Sequence, residues 1–166
     1  MIIIRTACRN DLADIVMIYN QAVKAGFMTA DMEPVTVEQR QKWFDEHLPN
    51  KHPIFVAEEN NKVIGWLSLS PYRPGRKALQ YTQEVSYYIN FDSQGKGVAS
   101  RLLQHAIDQS PKLNIKTLFA ILISSNIPSI KLLEKFHFEK WGEFPRVANY
   151  NGIEVGQVYY GLRIAD

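Results

Sequence analysis

The passage from Gln80 to Pro111 limits the fold more than any other part of this chain. Gln80 to Ile89 is rich in Tyr, Val and Thr and reads as a strand. Next comes Gln94-Gly95-Lys96-Gly97-Val98-Ala99-Ser100, and then Ala99, Leu102, Leu103, Ala106 and Ile107 recur at helical spacing until Pro111 ends the run. A helix that opens behind glycines presents free backbone N–H groups and a positive dipole end, and Lys96 adds charge. Glycine lets a backbone approach an anion without side-chain interference. There is no Gly-x-x-x-x-Gly-Lys-Ser/Thr and no Gly-x-Gly-x-x-Gly after a first strand, which excludes the P-loop and the dinucleotide fingerprint. By themselves these residues serve equally to hold an anion or only to cap a helix.

The flanking patterns complete a layered order. Ile2 to Thr6 predicts a first strand. Asn10 and Asp11 supply a helix start, followed by Leu12, Ile15, Val16, Tyr19, Ala22 and Val23 on one stripe until Gly26. Phe27 to Pro34 reads as an irregular loop. Thr36 with Gln39 forms a capping box for a second helix through Trp43, Phe44 and Leu48. Ile54 to Glu58 and Val63 to Ser70 read as strands joined at Asn60-Asn61. Thr117 to Ile123 reads as a buried strand. Pro128 at a first helical position opens a helix through Leu132, Leu133 and Phe136. Glu139 to Arg163 reads as two strands turning at Asn151-Gly152. The order βααβββαβαββ predicts one α+β (mixed α/β) domain spanning residues 1–166.

Bulk properties remove several classes of function. A net charge of +2 without a basic run gives no footprint for nucleic acid or an acidic membrane surface. No stretch approaches the roughly 18 apolar residues of a membrane span. The N-terminus lacks a signal-peptide pattern. Cys8 is the only cysteine, so a reducing compartment, the cytoplasm, is expected. Cys8 reads as structural, because no His partner is argued by the sequence. His47, His52, His105 and His137 show no metal-ligand spacing, and no metal is expected.

Gln94, Gly97 and Ala99 fill the positions of a Gln/Arg-x-x-Gly-x-Gly/Ala signature, and the chain here resembles the GCN5-related N-acetyltransferase superfamily. A closer likeness runs over nearly the whole chain, through Asp11-Leu12, Ile18-Tyr19-Asn20, Glu33-Pro34, Trp43-Phe44, Val56-Ala57-Glu58, Ser70-Pro71-Tyr72-Arg73, Glu84 to Ile89, Asn126, Ser129 and Leu132 to Lys135. These stretches resemble the phosphinothricin and methionine sulfoximine acetyltransferases.

That resemblance implies a central mixed sheet of about seven strands with about four flanking helices, the fourth and fifth strands splayed around the pantetheine arm of acetyl-CoA. It implies that backbone groups of Tyr87, Tyr88 and Ile89 pair with pantetheine. Amides from Gly95 to Ser100 (Gly95, Lys96, Gly97, Val98, Ala99 and Ser100), with Gln94, hold the pyrophosphate. Asn126 and Ser129 line the thioester end. It implies a homodimer with the site near the interface.

The resemblance makes Glu84 the general base that neutralises the acceptor amine, a step an ammonium needs before it attacks a thioester. From the residues alone Glu84 reads better as a strand-surface carboxylate. The N–H of Tyr88 or Ile89 is expected to stabilise the tetrahedral oxyanion. Arg73 is expected to clamp an acceptor carboxylate, and it serves equally as a surface arginine. Tyr72 is expected to form a wall, and Phe27, Met28 and Thr29 to shape the acceptor pocket from the same chain or across a dimer.

Two positions depart from the family pattern. Leu133 stands where many members carry a Tyr general acid, which leaves water or another Tyr such as Tyr150 for that task. His137 stands where the family has Gly. The expected reaction is acetylation of the α-amine of a small amino acid or analogue. The alternatives are acetylation of a peptide N-terminus, and a non-catalytic acyl-CoA-binding protein on the same fold.

Overall fold

Alternating apolar runs in the N-terminal half close into antiparallel ladders. In the computed structural model, which describes residues 1–166, β1 (Ile2–Thr6), β2 (Ile54–Glu59), β3 (Lys62–Pro71) and β4 (Thr82–Ile89) pair antiparallel in chain order. Asn60 and Asn61 turn β2 into β3 at φ 52° and 59°, a left-handed conformation that asparagine tolerates better than most residues. β5 (Thr117–Ile123) joins β4 in parallel, and β6 (Glu139–Tyr150) with β7 (Ile153–Arg163) completes the order β1-β2-β3-β4-β5-β7-β6. Helices α1 (Leu12–Ala25), α2 (Val37–Glu46), α3 (Val98–Gln109) and α4 (Ile127–Lys135) flank this sheet, so the predicted order of elements is the observed one. No helix is long and apolar enough to cross a membrane.

The apolar stripes decide which face each helix covers. Leu102, Leu103 and Ala106 of α3 and Leu133 of α4 pack with Leu67, Leu69, Val85 and Leu118 of the sheet into the larger core. Ile15, Ile18, Tyr19 and Val23 of α1 pack with Ile54, Val56, Val63 and Trp66 on the other face. The Trp66 indole N–H donates to Ile15 O at 3.1 Å, which satisfies the one polar atom that this large ring buries. α2 leans on the second core through Trp43 and Phe44.

Several local expectations are corrected. Asp11 stands at the N-cap position of α1, but its side chain makes no cap bond there. It is buried, and it accepts from Arg5 Nη1 and Nη2 at 2.8 and 2.9 Å and from the Cys8 N–H at 2.7 Å. Burial alone would raise its carboxyl, but these donors outweigh burial and hold it below its ordinary value. A short 3₁₀ turn, Arg9–Asp11, therefore precedes α1. The capping box at Thr36 and Gln39 forms as expected, with bonds of 3.2 and 2.8 Å, but α2 stops at Glu46, short of Leu48. β4 begins at Thr82, because Lys77–Leu79 forms a 3₁₀ turn. Pro128 is the second residue of α4, behind Ile127.

His137 explains the departure from glycine at its position. It sits just past α4 at φ 63°, while the N–H of Phe138 returns to Leu133 O at 3.0 Å. This is the left-handed residue that closes a helix end, and a side chain there costs about 1 kcal/mol relative to glycine. His137→Gly is expected to stabilise the protein by about 1 kcal/mol, read as a higher denaturant midpoint at unchanged slope. A lower midpoint would mean that the imidazole makes a stabilising contact of its own.

Candidate active site

β4 and β5 pair over only three residues, Thr82↔Thr117, Gln83↔Leu118 and Glu84↔Phe119. Beyond that point they part. β5 stays paired with β7 to Ile123, whereas β4 runs on to Ile89 with its β5-facing edge unpaired. Unpaired strand edges present a row of donors and acceptors to whatever fills the gap. The gap is a cleft of about 780 Å³, large enough for a cofactor-sized ligand. Its walls include Tyr87, Tyr88 and Ile89 on one strand and Ala120, Ile121 and Leu122 on the other.

At one end the cleft reaches the start of α3. Gln94, Gly95, Gly97, Val98, Ala99 and Ser100 line it, and Val98 also buries its side chain in the larger core. Lys96 does not line it, and its side chain is exposed. Gly95 and Gly97 have φ 76° and 74°, and a Cβ built on either would meet nothing within 4 Å. Backbone sign therefore favours glycine at both positions, and the space in front stays open. The first N–H groups of α3 lack helical partners, and the residues that carry them line this end of the cleft. Asn126 and Ser129 line the cleft from α4, where the Asn126 side chain caps the Ser129 N–H at 3.4 Å.

Leu133, at the position where many members carry a Tyr, offers the cleft no proton donor. It is fully buried in the larger core, and α4 lines the cleft with Pro128, Ser129 and Leu132. Tyr150 also lies off the cleft wall, with its hydroxyl donating to Thr29 O at 2.7 Å. Tyr87 does line the cleft. Its hydroxyl donates to Ser129 O at 3.4 Å, and burial pushes its pKa up to about 12.

Glu84 stands where the strands separate, the last β4 residue paired to β5. Its side chain is half-buried and has no hydrogen-bond or ion-pair partner, and burial raises its carboxyl above the ordinary glutamate value. Phe119 lies across from it, with the Tyr72 ring at 5.1 Å from Phe119. Arg73 is exposed at φ 51°, leans on Tyr72 at 5.9 Å and forms no ion pair, which leaves its guanidinium free. Tyr72, Arg73 and Glu84 are not part of the cleft wall.

The Phe27 to Pro34 loop closes the same side. Phe27 and Met28 line the cleft, and Phe27 packs on Tyr150 of its own chain at 4.5 Å. Thr29 is buried behind them. Its hydroxyl bonds that of Tyr19 at 2.7 Å, and Tyr19 in turn donates to Asp31. Arg40 Nη2 reaches Asp31 Oδ2 at 3.3 Å, and its guanidinium lies over Tyr19 and Trp43.

One group on this face escaped the sequence reading. His47 bonds Trp43 O through Nδ1 at 2.7 Å and Ser70 Oγ through Nε2 at 3.0 Å. The available signal was its helical phase, since Arg40, Trp43 and His47 recur at i, i+3 and i+7.

A parted parallel strand pair, with an anion-suited helix start at one end and a desolvated carboxylate at the other, is the layout of an acyl-transfer site. The pattern of the acetyltransferase (GNAT) family matches residues 15–138. YwnH of Bacillus subtilis (strain 168), provisionally named a phosphinothricin acetyltransferase, is 44% identical over 150 residues, covering 90% of this chain and 91% of that protein. The L-methionine sulfoximine/L-methionine sulfone acetyltransferase of Pseudomonas aeruginosa (strain PAO1) is 34% identical, covering 90% and 87%. A solved phosphinothricin acetyltransferase of Sinorhizobium meliloti, in complex with acetyl-CoA, superposes with TM-score 0.91 at 25% identity over 98% of this chain and 88% of that one. The chain belongs to the GNAT family of acetyltransferases, and it is an N-acetyltransferase.

Proposed function

We propose that this protein transfers the acetyl group of acetyl-CoA to the α-amine of a small amino acid or amino-acid analogue of the phosphinothricin, methionine sulfoximine or methionine sulfone type. The observation that carries this reading is Glu84, a desolvated carboxylate without a partner at the point where β4 and β5 part. The unpaired edge of Tyr87 to Ile89 suits pantetheine, the open space before Gly95 and Gly97 suits the pyrophosphate, and Asn126 and Ser129 stand toward the thioester.

Glu84 takes a proton from the acceptor ammonium. The freed amine attacks the thioester carbonyl, and the N–H of Tyr88 or Ile89 faces the oxyanion that forms. Collapse of that intermediate breaks the C–S bond, and the second proton of the amine passes through water to the thiolate as the amide forms. Arg73 holds the acceptor carboxylate, with Tyr72 as the wall beside it. The loop packed on Tyr150 narrows the acceptor side, which favours a small acceptor over a peptide.

The test is thiol release from acetyl-CoA across a panel of free amino acids, their analogues and short peptides. Release that depends on sulfoximine-, sulfone- or phosphinate-bearing amino acids is the expected result. Release with peptides alone, or acetyl-CoA binding with no turnover, would overturn it. Arg73→Ala is expected to raise the acceptor KM about 10- to 100-fold, the loss of one charge-assisted clamp, with acetyl-CoA binding unchanged. Normal binding of both substrates would remove Arg73 from the site.

The working unit in this proposal is a homodimer. Trp141, Phe144, Val147 and Ile153 expose about half of their surface on the β6–β7 ladder, an apolar patch that suits a second copy. Sedimentation at micromolar concentration tests this. The exposed, unpaired Cys8 suits a reducing compartment and supports action in the cytoplasm.

A further inference from the structure

The polar groups on the acceptor face sort by whether they have partners. Asp31, Thr29, Tyr19 and Arg40 bond one another, and Tyr150 is bonded to the loop. Glu84 has no donor, although a hydroxyl stands directly across the ladder. Ser70 is the β3 register partner of Glu84. Direct partners project to the same side of a sheet, with Cβ atoms about 4.5–5.5 Å apart. A serine hydroxyl that close would ordinarily turn toward a carboxylate, since a bond to a charged acceptor is stronger than one to a neutral acceptor.

His47 accounts for the missing bond. Its Nδ1 lies 2.7 Å from Trp43 O, and a carbonyl only accepts, so Nδ1 carries the hydrogen. In the neutral ring Nε2 is then an acceptor, and its partner at 3.0 Å, Ser70 Oγ, donates. Serine has a single hydroxyl proton. We infer that His47 is a positioning residue for Glu84: anchored on the end of α2, it takes the one proton of Ser70 and so keeps the carboxylate across the ladder without a donor. This rests on Glu84 acting as the base, because only a carboxylate left unbonded gains basicity from the arrangement.

The groups around the pair are few. His52 lies 6.3 Å from His47 ring to ring, and Glu46 precedes it in the chain. Arg40 and Asp31 lie past Trp43 on the same helix face and its loop, Tyr88 lies near Glu84 on β4, and Arg73 leans on Tyr72. Burial, opposed by the Trp43 bond, holds His47 below its ordinary pKa, so the ring is neutral at pH 7. The sign follows. Above that pKa Nε2 accepts and Ser70 is held. Below it Nε2 gains a hydrogen, Ser70 is released, and its proton can turn to Glu84.

The test is a direct titration of Glu84 in the full-length protein, by ¹³C NMR of glutamate-labelled samples with Glu84→Gln identifying the signal. His47→Asn keeps a donor to Trp43 O but is too short to reach Ser70, and the Glu84 midpoint is expected to fall by about one pH unit. His47→Gln restores an acceptor at the Nε2 position and is expected to keep the wild-type midpoint. The double variant His47→Asn with Ser70→Ala is expected to return to it. Ser70→Ala alone is expected to leave it unchanged. A raised midpoint in Ser70→Ala would mean that Ser70 already donates to Glu84 and would overturn the inference, even if no His47 variant folds. An unshifted His47→Asn, or a shift that persists in the double variant, would also overturn it. Full activity of Glu84→Gln would sink the base assignment while leaving these midpoints readable, so the two failures are distinguishable.

Discussion

Glu84→Gln is expected to lower kcat/KM for the acceptor by about 10²- to 10⁴-fold near neutral pH, the usual contribution of a positioned general base. The deficit is expected to shrink as the pH rises past the point where the acceptor amine is already neutral. In the wild type, burial raises the Glu84 carboxyl, so the acid limb of kcat/KM is expected above the ordinary glutamate range. An unchanged pH–rate profile in the variant would remove Glu84 from the mechanism. Stability gives an independent check. A raised folded-state pKa means that the folded chain holds this proton more tightly than the unfolded chain. The cost of burying the charge is absent below the unfolded-chain pKa and complete above the folded one. Glu84→Gln is therefore expected to raise Tm at pH 8 and to leave it unchanged in acid. Lost activity together with gained stability at pH 8 is the signature of a group kept for chemistry.

Gly97→Val is expected to weaken acetyl-CoA binding by about 10²- to 10³-fold, measured by calorimetry. Gly97 sits at φ 74°, where a β-branched side chain is strained, and its added methyl groups would enter the open space in front of α3. The strain would turn the first amides of α3 away from the anion, and losing one or two bonds to a charged group costs that much. Gly142→Ala is the control. Its Cβ also meets nothing within 4 Å, but its φ is ordinary and it lies on β6, so binding is expected to stay near wild type. Equal loss in both variants would point to a general folding defect and away from a pyrophosphate seat at Gly97.

What was legible in the sequence follows the range of the interactions. Helical stripes, alternating strands, the Thr36–Gln39 box and the turns at Asn60-Asn61 and Asn151-Gly152 depend on residues within a turn or two of each other, and these elements form where the patterning puts them. Asp11 shows where such reading ends. Nearby residues cast it as a helix cap, but Arg5 draws it into an ion pair that also engages Glu58, 53 positions from Arg5. Leu133 shows the same at the site. Its place in the motif is read from neighbouring residues, but its complete burial in the core, with Leu132 beside it on the cleft wall, depends on how α4 packs.

The sequence by itself determined the order of elements, the family signature and the glycines at 95 and 97, because each rests on local periodicity or on the backbone freedom of single residues. Only the tertiary structure decided the acceptor face. Glu84 keeps the last β5 partner before β4 and β5 part, and His47 and Ser70 come into contact only through the register of β3 and the docking of α2. The loop at Phe27 is held by Tyr150 from the far end of the chain. Those contacts join residues tens of positions apart through the sheet, and no local pattern encodes which pairs the register will bring together.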